Sequence, residues 1–109
     1  MKNVLKREKD FNYVFTKGKR IGCRTLTMVY AKSNELKVGF CVSKKHGKAV
    51  KRNYVKRVLR SAFHEYSKTL GDYYIAFIPK IRDTYCLKEI SKDMQYLFSK
   101  ENLFKWEKF

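Results

Sequence analysis

Apolar side chains in the first part of the chain recur first at helical and then at strand-like intervals. Three apolar residues spaced by three and four, followed by Gly18, predict an amphipathic helix over residues 8–17. Apolar and polar residues then alternate from residue 19 to 43, with a turn at residues 33–35. This pattern predicts a β-hairpin, with a short extra strand near residues 20–23.

The second part of the chain returns to helical spacing, interrupted by one strand. Apolar residues spaced by three and four predict a long helix over residues 49–68. The apolar run 73–78, which ends at Pro79, is typical of a strand buried on both sides. A last helix is predicted over residues 87–98, with Thr84 as its N-cap.

The element order is therefore α-β-β-(β)-α-β-α, which predicts an α+β sandwich with helices packed on a small sheet. The chain has 109 residues and no Pro/Gly/Ser-rich linker or internal repeat. A chain of this length buries roughly two-thirds of its unfolded surface and supports one core. We expect a single domain over residues 1–109.

Charge distinguishes this chain from an ordinary small domain. The net charge is +16, and residues 1–64 alone carry 18 basic and 3 acidic side chains. Such an excess favours a polyanionic partner. The apolar content of 44% and aromatic content of 16% are too high for a disordered basic chain. No apolar run is long enough to cross a membrane, and the first residues lack the apolar stretch of a signal peptide, so we expect a cytoplasmic protein.

Three cysteines, Cys23, Cys41 and Cys86, are far apart and form no C-x-x-C pair. This spacing suggests neither a disulfide framework nor a zinc site. We expect buried free thiols.

The positive charge is concentrated in an acid-free stretch over residues 36–64. It contains nine cations and no carboxylate: Lys37, Lys44, Lys45, Lys48, Lys51, Arg52, Lys56, Arg57 and Arg60. Within the long helix one polar stripe lies opposite the apolar side: Asn53, Lys56, Arg57, Arg60 and His64. The lysines before the helix bring further charge to its N-terminus, where backbone N–H groups favour phosphate.

This stripe favours RNA over the other polyanions. The apolar side of the helix is needed for the core, which leaves no lipid-facing side for a membrane. Nothing in the pattern indicates a reader of the DNA major groove. We therefore expect no membrane and no DNA partner.

The segment Arg52–Arg60 closely resembles the R-N-x-x-K-R-x-x-R signature of the bacterial ribonuclease P protein subunit. Further matches occur in the same order along most of the chain to about Phe98: Leu5-Lys6, Asp10-Phe11, Val14-Phe15, Gly18, Arg24, Tyr30 and Val38-Gly39 through Ser43-Lys44-Lys45. Tyr54 and Ser61 depart from the residue types usual at their positions, and the resemblance gives them no role.

The resemblance implies a small protein that binds a catalytic RNA and assists removal of the 5′ leader from precursor tRNA. It would be part of an endoribonuclease holoenzyme whose catalytic centre and Mg²⁺ lie in the RNA. The protein itself would have no catalytic residue, no metal ligand and no bound cofactor. Its partners would be ribonuclease P RNA and precursor tRNA, with one monomeric protein per RNA in a 1:1 complex.

The resemblance also assigns site residues and a fold. By resemblance the RNA contacts would be Arg52, Asn53, Lys56, Arg57 and Arg60, and the basic stretch adds Lys44, Lys45, Lys48 and Lys51 to them. Phe11, Phe15 and Tyr30 would line a cleft for the single-stranded leader, whereas their spacing alone, without the resemblance, favours plain core packing. The fold would be ribosomal-protein-like, with a left-handed β-α-β crossover where general rules favour the right-handed form.

Two other functions are compatible with parts of the pattern. A structural RNA-binding protein of ribosomal type would carry the same basic stripe but make no substrate contact. An autonomous endonuclease is disfavoured because the basic region lacks the clustered carboxylates that hold catalytic metals. His46 and His64 could form an acid/base pair, but two histidines without a positioned partner are more often surface residues.

Overall fold

The computed structural model describes residues 4–104. Within them lie three α-helices and four strands, in the order that the periodicity predicts, with the extra strand present. Their bounds are α1 Glu8–Lys17, β1 Lys19–Gly22, β2 Leu26–Lys32, β3 Lys37–Phe40, α2 Ala49–His64, β4 Tyr73–Pro79 and α3 Leu87–Lys100. A short 3₁₀ turn, Lys44–His46, precedes α2.

The four strands form one mixed sheet in the order β1-β2-β4-β3. β1 pairs antiparallel with β2, β2 antiparallel with β4, and β4 parallel with β3. The predicted hairpin of β2 with β3 is wrong, because β4 lies between these two strands. α2 connects β3 to its parallel neighbour β4, which confirms the crossover connection; the hand of this crossover stays a prediction.

The two faces of the sheet carry different layers, as the alternation along β2 makes plain. Leu26 and Met28 face the larger core, which α2 and α3 cover, whereas Val29 faces a smaller core beneath α1. The central strand β4 contributes to both, with Ile75 and Phe77 on the first side and Tyr74 and Ala76 on the second. The prediction that this strand is buried on both sides is confirmed.

Two helix ends differ from the sequence expectation. α2 ends at His64 rather than at residue 68, because the chain continues in turns in which the Tyr66 and Thr69 N–H groups bond carbonyls only three residues back. Thr84 does not cap α3. The helix begins after Cys86, and no side chain caps its first turn.

Candidate RNA-binding surfaces

The outer side of α2 carries the predicted polar stripe. Val55 and Leu59 are fully buried against the sheet, which turns Asn53, Lys56, Arg57, Arg60 and His64 to solvent. Within residues 4–104 none of the stripe's cations forms an ion pair with a carboxylate. Their charge is therefore available to an external anion, and we call this surface the α2 face.

A hydrogen-bonded turn positions the lysines that precede α2. Lys44, Lys45 and Lys48 are all exposed. The Ser43 hydroxyl accepts a hydrogen bond from the Lys45 N–H at 3.3 Å, and Gly47 adopts φ +122°, a conformation that side chains disfavour. The turn places these lysines at the N-terminus of α2, as the sequence indicates.

Two predicted RNA contacts, Lys51 and Arg52, are half-buried rather than exposed. Lys51 Nζ donates to the Arg82 carbonyl at 3.0 Å and lies 5.8 Å from the centre of the Tyr85 ring. Lys51 thus fixes the loop before α3 and is only partly available to a ligand. Arg52 is half-buried, and its buried Nε has no hydrogen-bond partner within the described residues. An N–H in that state is stabilised by any acceptor that reaches it.

His46 has a structural role that was not among the predictions. Its side chain is buried, and Nδ1 accepts a hydrogen bond from the Ser43 N–H at 3.0 Å. The other ring nitrogen, Nε2, therefore carries the proton and donates to the Pro79 carbonyl at 2.7 Å. The expectation that both histidines are surface residues is wrong for His46 and confirmed for His64. The S-x-x-H spacing, which resembles a capping box, was the available signal.

Phe11 and Phe15 form an aromatic pair on the α1 side of the sheet. Their rings stack with centres 6.3 Å apart. Phe11 lies directly over Gly39 of β3, where a β-carbon would come within 2.5 Å of the Phe11 ring. Phe15 remains 41% exposed. We call this surface, the stacked pair with its Gly39 floor, the α1 face.

Tyr30 does not lie on the α1 face, and its grouping with Phe11 and Phe15 is wrong. The two-residue period of β2 puts it on the side of Leu26 and Met28, packed against the larger core. Its hydroxyl donates to Glu101 Oε1 at 2.5 Å, and Lys19 Nζ lies 2.9 Å from the same oxygen. Tyr30 thereby ties the end of α3 to the sheet.

The Tyr30–Glu101 contact affects the titration of both groups. Burial, and then the hydrogen bond to the carboxylate, raise the pKa of the Tyr30 hydroxyl well above its ordinary value. The hydrogen bond from Tyr30, followed by the one from Lys19, lowers the pKa of Glu101. Both shifts favour a neutral phenol donating to an ionised carboxylate at neutral pH.

Two cations beside the α1 face, Arg20 and Lys80, are not among the predicted site residues. Arg20 is exposed and pairs in register with Val29, so it lies on the α1 side of the sheet. The Lys80 ammonium lies beside Gly22, 3.8 Å from the position that a β-carbon would occupy there. A cation directly after the buried strand β4 was the only sequence signal for Lys80.

The three cysteines are free. Cys41 is half-buried in the smaller core, and burial raises the pKa of its thiol; burial likewise raises the pKa of Cys23. Cys86 is exposed, so the expectation of a buried thiol is wrong there. It directly precedes α3, where the chain turns at the surface.

The described residues include no cluster of three or more His, Cys, Asp or Glu side chains that could hold a metal ion. None of the helices in residues 4–104 is long and apolar enough to span a bilayer. The side chains on the two faces offer charge, hydrogen bonding and aromatic rings.

Comparison with known proteins gives this arrangement a family. The family model described as Ribonuclease P matches residues 1–102. The chain belongs to the ribonuclease P protein family. The ribonuclease P protein component of Bacillus velezensis is 38% identical over 108 residues, covering 95% of this chain and 93% of that protein. That of Nitratiruptor sp. is 34% identical over 110 residues, covering 97% of this chain and 100% of that protein.

Solved structures of ribonuclease P proteins share the fold. The Staphylococcus aureus RNase P protein superposes with a TM-score of 0.83 at 23% identity, over 96% of this chain and 100% of that chain. The Thermotoga maritima RNase P protein gives 0.79 at 22% identity, over 89% and 96%. The predicted α+β fold and the resemblance to this family are both confirmed.

Proposed function

We propose that this chain, as the protein subunit of ribonuclease P, uses its α2 face to bind the catalytic RNA and its α1 face to bind the 5′ leader of precursor tRNA. The holoenzyme removes that leader to give the mature tRNA 5′ end. One protein monomer assembles with one RNA, a 1:1 complex. The observation that carries the proposal is the placement of a basic face, without carboxylate partners among residues 4–104, and an aromatic face on opposite sides of one sheet.

The α2 face suits a folded RNA. Arg57 and Arg60 are exposed and spaced along one helix side, and neither pairs with a carboxylate of residues 4–104. Each phosphate that such a cation neutralises releases counterions, which makes binding strong at low salt and weak at high salt. The partly buried Arg52, whose Nε bonds no atom in the part of the chain that the structure describes, adds a donor beside them.

The α1 face suits a single strand of variable sequence. Base stacking on an aromatic ring contributes about 1–3 kcal/mol per base with little sequence preference. Phe15 offers a partly exposed ring and Phe11 a ring held against Gly39. Arg20 and Lys80 supply positive charge for phosphates on the same side of the sheet. Leaders of different sequence could therefore share one surface.

Cleavage is assigned to the catalytic RNA and its Mg²⁺ in this proposal. Three carboxylates that are held by contacts within the fold support this division. Asp10 pairs with Arg7, Glu89 with Arg24 and Arg82, and Glu101 with Lys19 and Tyr30. The protein contributes binding and orientation of the two RNAs.

Reconstitution tests the proposal. The purified chain is mixed with ribonuclease P RNA and a 5′-labelled precursor tRNA at low Mg²⁺, with RNA alone and protein alone as controls. We expect leader removal only when protein and RNA are both present. Failure of the protein to stimulate the RNA contradicts the proposal, and cleavage by protein from which all RNA has been digested contradicts the assignment of catalysis to RNA.

The ribosomal-type alternative gives a different result in a binding assay. With the catalytic RNA present, a substrate-contacting subunit makes precursor tRNA bind more tightly than mature tRNA, and the preference grows as the leader is lengthened from one nucleotide. A purely structural RNA-binding protein gives equal affinities for the two tRNAs.

A further inference from the structure

An apolar surface interrupts the basic side of α2. Val50 is 83% exposed and Tyr54 is 50% exposed. The two lie four residues apart on the helix, so their side chains are neighbours on one side of it. Exposed apolar side chains are normal when single, but this pair lies inside the most strongly charged segment of the chain.

The Tyr54 ring is held in place before any ligand arrives. Its hydroxyl donates to the Tyr85 carbonyl at 3.3 Å. Tyr85 is itself buried, donates its hydroxyl to the Lys80 carbonyl at 2.8 Å, and accepts from the Arg82 N–H at 3.1 Å. A ring fixed in this way loses little conformational entropy when a ligand stacks on it.

The charges around this pair select the chemistry of its partner. Arg57 follows Tyr54 by three residues and Val50 by seven, which places it on the same side of α2. Lys51 follows Val50 directly, and no acidic residue occurs in the chain between Glu35 and Glu65. On α2 itself the charged neighbours of this apolar pair are cations, an arrangement that complements a ligand combining flat apolar groups with negative charge, as a nucleotide does.

We propose that Tyr54 and Val50 form a stacking platform for an unpaired base of the catalytic RNA, whose flanking phosphates reach Arg57. This inference rests on the proposed binding of catalytic RNA by the α2 face. It adds a contact that is independent of charge to a surface otherwise governed by charge. The resulting affinity would persist at salt concentrations that weaken the phosphate contacts.

Substitution of the ring tests the platform. Affinity for ribonuclease P RNA is measured across a salt series for the wild type, Tyr54→Leu and Tyr54→Phe. Loss of one stacked base predicts a drop of about 5- to 150-fold for Tyr54→Leu, with the slope of log affinity against log salt unchanged. Tyr54→Phe keeps the ring and is expected to stay within about 3-fold of the wild type.

Tyr96 offers a matched control. It is a tyrosine on α3 with 51% exposure, close to that of Tyr54, and its hydroxyl contacts only Lys100 within the described residues. Tyr96→Leu should leave RNA affinity unchanged. Thermal unfolding of every variant identifies any that lose the fold, and RNA footprinting locates the base that becomes reactive in Tyr54→Leu.

The outcomes separate the platform from the function on which it rests. If the wild type does not bind the RNA, the proposed function fails. If the wild type binds and Tyr54→Leu equals it, only the platform fails. Equal losses of RNA affinity in Tyr54→Leu and Tyr54→Phe would assign the effect to the hydroxyl. A changed oligomeric state with unchanged RNA affinity would assign the surface to a second copy of the chain. Either result overturns the platform.

Discussion

The α2 and α1 faces differ in how the fold presents their functional side chains. On the α2 face, long cations project from a helix whose other side is buried, and their carboxylate partners are lacking within the described residues. On the α1 face, the aromatic pair is partly buried, and Gly39 sets the depth of one ring. The first face depends on charge and the second on shape. Salt and packing substitutions should therefore affect them separately.

The largest effect is expected from removing charge from the α2 face. Arg57→Ala with Arg60→Ala should weaken assembly with the catalytic RNA by roughly 10- to 100-fold at moderate salt, because two phosphates lose their cations. The slope of log affinity against log salt should flatten by about 1.5 to 2. Filter binding across a salt series measures both.

The matched control for this pair lies on α3. Lys88→Ala with Lys92→Ala removes the same charge from exposed positions four residues apart. This variant should lower affinity only through the small change in net charge. An equal flattening of the slope in both double variants would mean that the α2 face is not the phosphate contact.

A smaller effect, confined to the substrate, is expected from Phe15→Ala. Loss of one stacked base should reduce the preference for precursor over mature tRNA by about 5- to 150-fold and leave assembly unchanged. Tyr13→Ala is the control, because Tyr13 is 40% exposed on the same helix but bonds to the Lys32 carbonyl. Equal loss in both variants would indicate a general disturbance of α1.

The floor of the α1 face can be altered without touching an aromatic residue. Gly39→Ala puts a methyl group where the Phe11 ring lies, so the ring must shift, at an expected cost of about 1–3 kcal/mol in the free energy of unfolding. We expect weaker binding of precursor tRNA and unchanged assembly. Gly22→Ala is the control, since its β-carbon meets no atom closer than 3.6 Å. Unaltered precursor binding in Gly39→Ala would show that the position of Phe11 is unimportant.

The smallest functional effect is expected from Tyr30→Phe, which should change stability but not leader binding. Loss of a hydrogen bond to a charged group costs about 1–3 kcal/mol in the free energy of unfolding. Because the pKa of Glu101 is lowered in the folded chain, this contribution is present above the carboxylate's unfolded pKa and is lost as pH falls through the folded one.

Urea unfolding at pH 7 and pH 3 measures this difference. The gap between wild type and Tyr30→Phe should be wider at pH 7 than at pH 3. If Tyr30→Phe unfolds like the wild type at pH 7 but binds precursor tRNA poorly, Tyr30 contacts the leader after all.

Sequence periodicity predicted those features that depend on local contacts. The bounds of α1 and the two-sided burial of β4 follow from spacing alone. The pairing of β2 with β4 could not be predicted in this way. A turn at residues 33–35 looks the same whether the flanking strands pair or a later strand enters between them, and only the long-range packing decides.

The candidate site likewise has one part that local periodicity predicts and one part that depends on long-range packing. The stripe on α2 was predictable because the buried and exposed sides of a single helix are fixed by its own period. The α1 face was not predictable, because its prediction requires knowing which side of the sheet α1 covers. Tyr30 shares its period with Leu26 and Met28, which the sequence shows, but only the fold reveals that α1 lies on the other side.

Photo-cross-linking tests the central claim, two faces for two RNAs, most directly. A photoreactive phenylalanine analogue is placed at position 15 or at position 57, and the holoenzyme is irradiated with leader-labelled precursor tRNA bound. We predict that the probe at position 15 cross-links to the leader and the probe at position 57 to the catalytic RNA. Cross-links from both positions to the same RNA, or an exchange of the two targets, would contradict this account.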